Sequence, residues 1–209
     1  MYRMDTGERT KHWENIYKTK LSAEVSWHQY NPTISLMLLK QHPISQHAKI
    51  IDVGGGDSLL VDHLLDLGYT NISVLDISET AIERAKLRLG EKSQQVNWII
   101  ADIANFNPSE KFDFWHDRAA FHFLTKEKEI EHYLHTAQSS ITDNGVLVIG
   151  TFSKSGPEKC SGIEIKQYSE DSMTALFARH FTKTSCVNVD HITPINSIQH
   201  FTFCSFKKR

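Results

Sequence analysis

The 209-residue sequence holds only three cysteines, Cys160, Cys186 and Cys204. Their number is odd and none makes a CxxC pair, so neither a disulfide framework nor a structural zinc site is expected. A reducing cytoplasm is the default compartment for such usage. No apolar run approaches the roughly 20 residues that span a bilayer, and the polar start Met1–Arg9 is no signal peptide. Charge of one sign is also lacking: 23 basic and 25 acidic residues leave a formal net charge of −2. No global field recruits nucleic acid or an anionic membrane, and the basic end Lys207–Arg209 reads as a solvated tail. Twelve histidines are present, but none falls in HxxxH or HExxH spacing. His132 and His135 read as a surface pair, and no metal is expected. Repeats, low-complexity stretches and long linkers are absent.

What is present is 40% hydrophobic residues, enough for a proper core, arranged with alternating periods. Residues 8–20 carry Trp13, Ile16 and Tyr17 at helical spacing. Asn31-Pro32 opens a second helix, with proline at its first position, which ends near His42. From Lys49 short strands alternate with helices. Strands are predicted over 49–53, 71–75, 96–100, 112–116 and 146–152, and helices over 58–67, 78–89 and 125–139, with a turn at 142–145. This order predicts right-handed βαβ units and a parallel sheet. After a helix over 169–180, two strands at 181–191 and 197–206 are separated by five residues. Parallel strands cannot be joined so briefly, so these form an antiparallel hairpin at one end of the sheet. The fold class is therefore α/β and Rossmann-like. It has seven strands, mostly parallel, with helices on both faces. Residues 1–45 read as an N-terminal helical lid and 46–209 as the core.

The segment Asp52-Val53-Gly54-Gly55-Gly56-Asp57-Ser58 joins the first strand to the first core helix. Glycines there let a ligand approach the backbone, and the helix N-terminus that follows favours an anionic group. Asp76 ends the second strand and is suited to accept from two ribose hydroxyls; Asp102 ends the third and is suited to an adenine amine. Asp52 lies where a ligand ammonium would sit. Ile77 and Ile103, which follow two of these acids, join the cofactor-binding set. Any one of the acids also suits a helix cap; three beside a glycine loop point to a shared crevice. A dinucleotide fits poorly: the third glycine of GxGxxG is Leu59, and Asp57 stands where a pyrophosphate would lie. S-adenosylmethionine (SAM), with a positive sulfonium and no phosphate, fits better.

On these residues the sequence resembles the class I SAM-dependent methyltransferases. Residues 49–153 match their Rossmann-like core in order and spacing, with Ser58 in place of the third motif glycine. The resemblance is closer to one bacterial subgroup of largely uncharacterised methyltransferases. It shows at His12-Trp13-Glu14, Val25-Ser26-Trp27-His28-Gln29, Trp115 to Leu124 and Gly156 to Gly162. It implies SAM binding, with S-adenosylhomocysteine (SAH) as product, and methyl transfer. It leaves the acceptor open between a small molecule and a protein lysine, beside the reading of a non-catalytic SAM-binding module.

Transfer of the methyl group needs an aligned acceptor and, for some acceptors, a base. The resemblance puts Asp117 near sulfonium and acceptor, as a catalytic and cofactor-binding candidate. His122 is a candidate base, or a half-buried histidine with no such part. Arg118 suits a substrate carboxylate or a structural partner acid. Trp27, His28 and Tyr30 are candidates to close over the substrate from the lid, or to pack there. Cys160 is a candidate lining residue, since the transfer needs no covalent enzyme intermediate.

Overall fold

The computed structural model describes residues 5–209. Helix α1 (Thr6–Thr19) starts at Asp5, whose side chain accepts from the Glu8 amide while Glu8 accepts from the Asp5 amide. This reciprocal cap satisfies two otherwise orphaned amides. Helix α2 (Thr33–Lys40) begins one residue later than predicted, because Pro32 has a non-helical ψ of 60° and occupies the cap position itself.

The core alternates β1 (Lys49–Val53), α3 (Leu60–Asp66), β2 (Asn71–Asp76), α4 (Glu79–Leu89), β3 (Val96–Ile100), β4 (Phe112–Arg118), α5 (Glu127–Ser140) and β5 (Ile141–Phe152). A two-stranded ribbon follows, β6 (Lys159–Cys160) with β7 (Ile163–Glu164), then α6 (Glu170–Phe177), β8 (Phe181–Ile192) and β9 (Ile198–Lys208). The seven-stranded sheet has the order β3-β2-β1-β4-β5-β9-β8. Its first five strands are parallel, and β9 and β8 close it as an antiparallel pair. The Rossmann-like class and the terminal hairpin expected from the connector length are thus both present. The predicted turn at 142–145 is instead a bulge within β5. Pairing with β4 jumps from Ile141 to Val146, and Asn144 takes a left-handed φ of 63°.

Period-2 alternation sends neighbouring strand residues to opposite faces. Ile51, Trp115 and Ile149 bury with α5 and α6, whereas Ile50, Phe114 and Val148 bury with α2, α3 and α4. Both faces are covered, as a parallel sheet requires. Helix α1 buries Trp13, Ile16 and Tyr17 against Ala81 of α4, and Glu14 accepts from the Ser78 hydroxyl and the Thr80 amide at that helix's start.

One cysteine expectation is corrected. Cys186 and Cys204 face each other in the β8–β9 register and form a disulfide, leaving Cys160 as the free thiol. The two lie 18 positions apart in the sequence, so no local spacing signals the pair; only the hairpin register brings them together. The inference of a reducing compartment rested on the absence of such a bond. Among the described residues, no helix is long and apolar enough to cross a membrane, and no cluster of three or more metal-ligating side chains occurs.

Candidate functional site

A cleft opens at the carboxyl ends of β1 to β4, roofed by α1, the start of α2 and the segment between them. This is where open parallel sheets place their ligands, outside a reversal of strand order; here the reversal falls between β1 and β4. The turn after β1 enters the cleft with Gly54 at φ 69° and Gly56 at φ 45°, conformations open to glycine at little cost. A Cβ on Gly56 would lie 2.8 Å from Asp76 Oδ2 and 2.9 Å from the Tyr17 hydroxyl, and one on Gly54 would lie 2.7 Å from the Ala120 Cβ. Behind the turn, Arg88 donates to the carbonyls of Asp57 and Ser58 and pairs with Asp62. The loop is therefore held from outside while its inner edge stays open.

Asp52, Gly54, Gly55, Asp57, Ser58, Asp76, Ile77, Asp102 and Ile103 all line this cleft, and Gly56 stands directly behind Asp76. Asp76 accepts from the Ser78 amide at 2.8 Å. Its burial, with Asp57 and Asp52 nearby, pushes its carboxyl up to about 7. Such a group gains from any ligand that donates hydrogen bonds or brings positive charge. Asp57 accepts from the Ser22 hydroxyl and lies 3.6 Å from Arg84. Asp102 is already engaged: Arg9 donates to it through Nε and Nη2, while its other oxygen accepts from the Ala104 amide. Arg9 also pairs with Glu129, so one guanidinium pins α1 to both β3's carboxyl end and α5.

Asp52 is oriented by a chain of buried groups. Its Oδ1 lies 2.7 Å from His116 Nδ1, and His116 Nε2 lies 2.9 Å from Ser35 Oγ. A carboxylate only accepts, so Nδ1 carries a proton toward Asp52, and Nε2 shares its hydrogen bond with the Ser35 hydroxyl. All three residues line the cleft. Asp52 and His116 are register partners in β1 and β4, so adjacent parallel strands present them on one face.

The same alternation moves Asp117 to the opposite face. Its carboxylate accepts from the Tyr133 hydroxyl at 2.8 Å and from the Ala120 and Phe121 amides at 2.9 and 3.0 Å. Burial raises it to about 6 against the pull of those donors, and it does not line the cleft. His122 is also outside the lining: its Nδ1 accepts from the Phe152 amide, and burial together with Arg118 pushes it down to about 3. A ring held neutral so far below its usual range is a weak base. The structure thus sets both expected catalytic residues apart from the cleft and puts His116 and Arg118 into it.

Trp27, His28, Arg118 and Cys160 also line the cleft. Burial pushes the Cys160 thiol up to about 11, so it is protonated at neutral pH and unsuited to nucleophilic attack. Tyr30 is exposed, with its ring against the edge of His28. Arg9, Ser35 and His116 had no part in the sequence-based site. Arg9 and Ser35 carry no local signal, since each reaches the cleft across a tertiary contact. His116 was within reach: it lies two residues before Arg118, on the same strand face.

A family model described as a methyltransferase domain matches residues 51–147. Malonyl-[acyl-carrier protein] O-methyltransferase 1 of Ilyobacter polytropus is 29% identical over 112 residues, covering 53% of this chain and 40% of that protein. The chain spans about two fifths of the length of that relative and of a second one from the same organism. Among solved structures, N-methyltransferase NodS from Bradyrhizobium japonicum WM9, in complex with SAH, superposes with a TM-score of 0.69 at 16% identity, covering 93% of this chain and 97% of that one. A solved structure of the conversion of a disulfide bond into a thioacetal group during echinomycin biosynthesis superposes with a TM-score of 0.76 at 20% identity, covering 95% of this chain and 92% of that one. At these identities the two structures establish a common fold.

Proposed function

We propose that this chain, whose residues 51–147 match a methyltransferase domain, is a class I SAM-dependent methyltransferase that binds SAM across the carboxyl ends of β1 to β3 and methylates a small-molecule acceptor seated against β4 and the N-terminal helices. The observation that carries this reading is the acid set around the glycine turn. Asp52, Asp57 and Asp76 are all buried there, and together they repel a pyrophosphate and attract a cationic ligand rich in hydroxyl donors. That donor set fits SAM.

In this reading Asp76 accepts from the ribose hydroxyls. Ile77 and Ile103 flank the adenine, and Asp102 holds its edge together with Arg9. Asp52, Asp57 and the glycine backbone hold the amino-acid end. SAM supplies an electrophilic methyl on a sulfonium whose departure leaves a neutral thioether, so the protein need not protonate a leaving group. What remains for the protein is alignment, exclusion of water and removal of the acceptor's proton. For a protic acceptor, Ser35 Oγ takes that proton while passing its own to His116 Nε2, and Asp52 stabilises the resulting imidazolium. Asp117 and His122 are structural here: Asp117 ties β4 to Tyr133, and His122 ties the following turn to β5.

Incubation with methyl-labelled SAM and a cell extract separated into small-molecule and protein fractions tests the proposal. Label is expected in the small-molecule fraction and only when the protein is present. Label confined to protein would replace the small-molecule acceptor with a protein one. SAH binding with label in neither fraction would reduce the chain to a binding module.

A further inference from the structure

Arg118 is the last residue of β4, and the next residue, Ala119, turns the chain with a left-handed φ of 71°. The side chain therefore projects at the sheet's carboxyl edge, into the cleft. Its Nη1 donates to the Trp27 carbonyl at 3.0 Å, and its Cζ lies 5.1 Å from the centre of the Phe201 ring. Nη2 is buried and has no hydrogen-bond partner. Among the described residues, no carboxylate forms an ion pair with this guanidinium; Cys160 and Asp52 act on it through space. Burial lowers its affinity for the proton to about 10, still far above neutrality, so the charge persists.

A buried cation with an unmatched donor is costly unless an anion completes it, and a guanidinium edge matches a carboxylate in shape. Arg118 ends β4, whereas Asp76 and Asp102, which take the adenosine in the reading above, lie at or just past the ends of β2 and β3, across β1 from β4. It shares a strand face with His116, two residues and roughly 7 Å away along β4. We infer that Arg118 is the anchor for a carboxylate on the methyl acceptor, and that the acceptor's nucleophile lies on the His116–Ser35 side of that anchor. The acceptor class is thus a small organic acid bearing an amine, hydroxyl or thiol a few ångströms from its carboxylate. This inference rests on the proposed methyltransferase reading.

The test uses the full chain saturated with SAH and follows the Trp27 indole N–H resonance. The probes are acetate, 4-aminobutyrate and benzoate, each against its primary amide, for wild type and Arg118→Gln. Carboxylates are expected to bind at least tenfold more tightly than their amides to wild type, and Arg118→Gln is expected to abolish that preference while keeping SAH affinity within threefold. Equal binding of acids and amides, no binding of either, or a preference that survives Arg118→Gln would overturn the inference. So would a loss of SAH affinity in Arg118→Gln with 5′-methylthioadenosine unaffected, since the anchor would then serve the cofactor's own carboxylate. Failure of wild type to bind SAH would strike the methyltransferase reading itself, which keeps the two failures apart.

Discussion

Asp76→Ala weakens SAH binding by at least a hundredfold while leaving the ligand-free protein as stable as wild type, or more so, at pH 8. The two ribose hydroxyls donate to an ionised carboxylate, and each such bond contributes about 1.5–3 kcal/mol. The protein, by contrast, gains little from a carboxyl that burial has pushed up to about 7. The pH dependence runs in opposite directions for binding and folding. Binding uses the ionised form, so SAH affinity climbs as pH rises toward 7 and then levels off. In the unfolded chain the group titrates near 3.8, so between about pH 4 and 7 the folded state holds the proton more tightly. Stability from this residue is therefore fullest below pH 4 and falls as pH rises to 7, by up to about 4 kcal/mol. Calorimetric titrations with SAH and urea melts at pH 5 and pH 8 measure both slopes. Asp76→Asn, which cannot ionise, is expected to flatten each. A pH-independent wild-type affinity would remove Asp76 from the ribose site.

Arg9→Met destabilises the fold by about 3–5 kcal/mol, the usual cost of removing one partner from a buried ion pair. The guanidinium bridges Asp102 and Glu129 at 2.8 and 2.9 Å, and all three side chains are largely excluded from solvent. Its loss leaves Asp102 with the Ala104 amide and Glu129 with Lys126, each without its guanidinium, and frees α1 from β3 and α5. Asp102→Asn costs less, because Arg9 keeps Glu129. Urea unfolding gives the first number, and limited proteolysis at Lys11 and Lys18 reports release of α1. A change below 1 kcal/mol for Arg9→Met would mean that α1 is held by its Trp13–Tyr17 face alone. Because Arg9 already occupies one oxygen of Asp102, the latch also bears on the adenine end of the cleft.

The sheet was legible because its signals are local. Short apolar runs ended in glycine or aspartate, and a five-residue connector forced the last two strands to be antiparallel. The glycine turn and the acids Asp52, Asp76 and Asp102 were legible for the same reason: each sits at the end of a strand that the pattern already defines. The cleft's other groups depend on which strands are neighbours and which face each residue takes. His116 meets Asp52 only because β4 lies beside β1, and Asp117 is turned away from the cleft by one residue of alternation. Arg9 and Ser35 come from helices whose docking no local pattern encodes. The Cys186–Cys204 bond belongs with these, since it follows from register and not from spacing.

The central claim is that the acid-lined glycine turn takes an adenosyl sulfonium cofactor and not a dinucleotide. Isothermal titration of the full chain with SAM, SAH and NAD tests it most directly. The account predicts one site that binds SAM and SAH, with no measurable heat from NAD. Binding of NAD with none of SAM or SAH would contradict it.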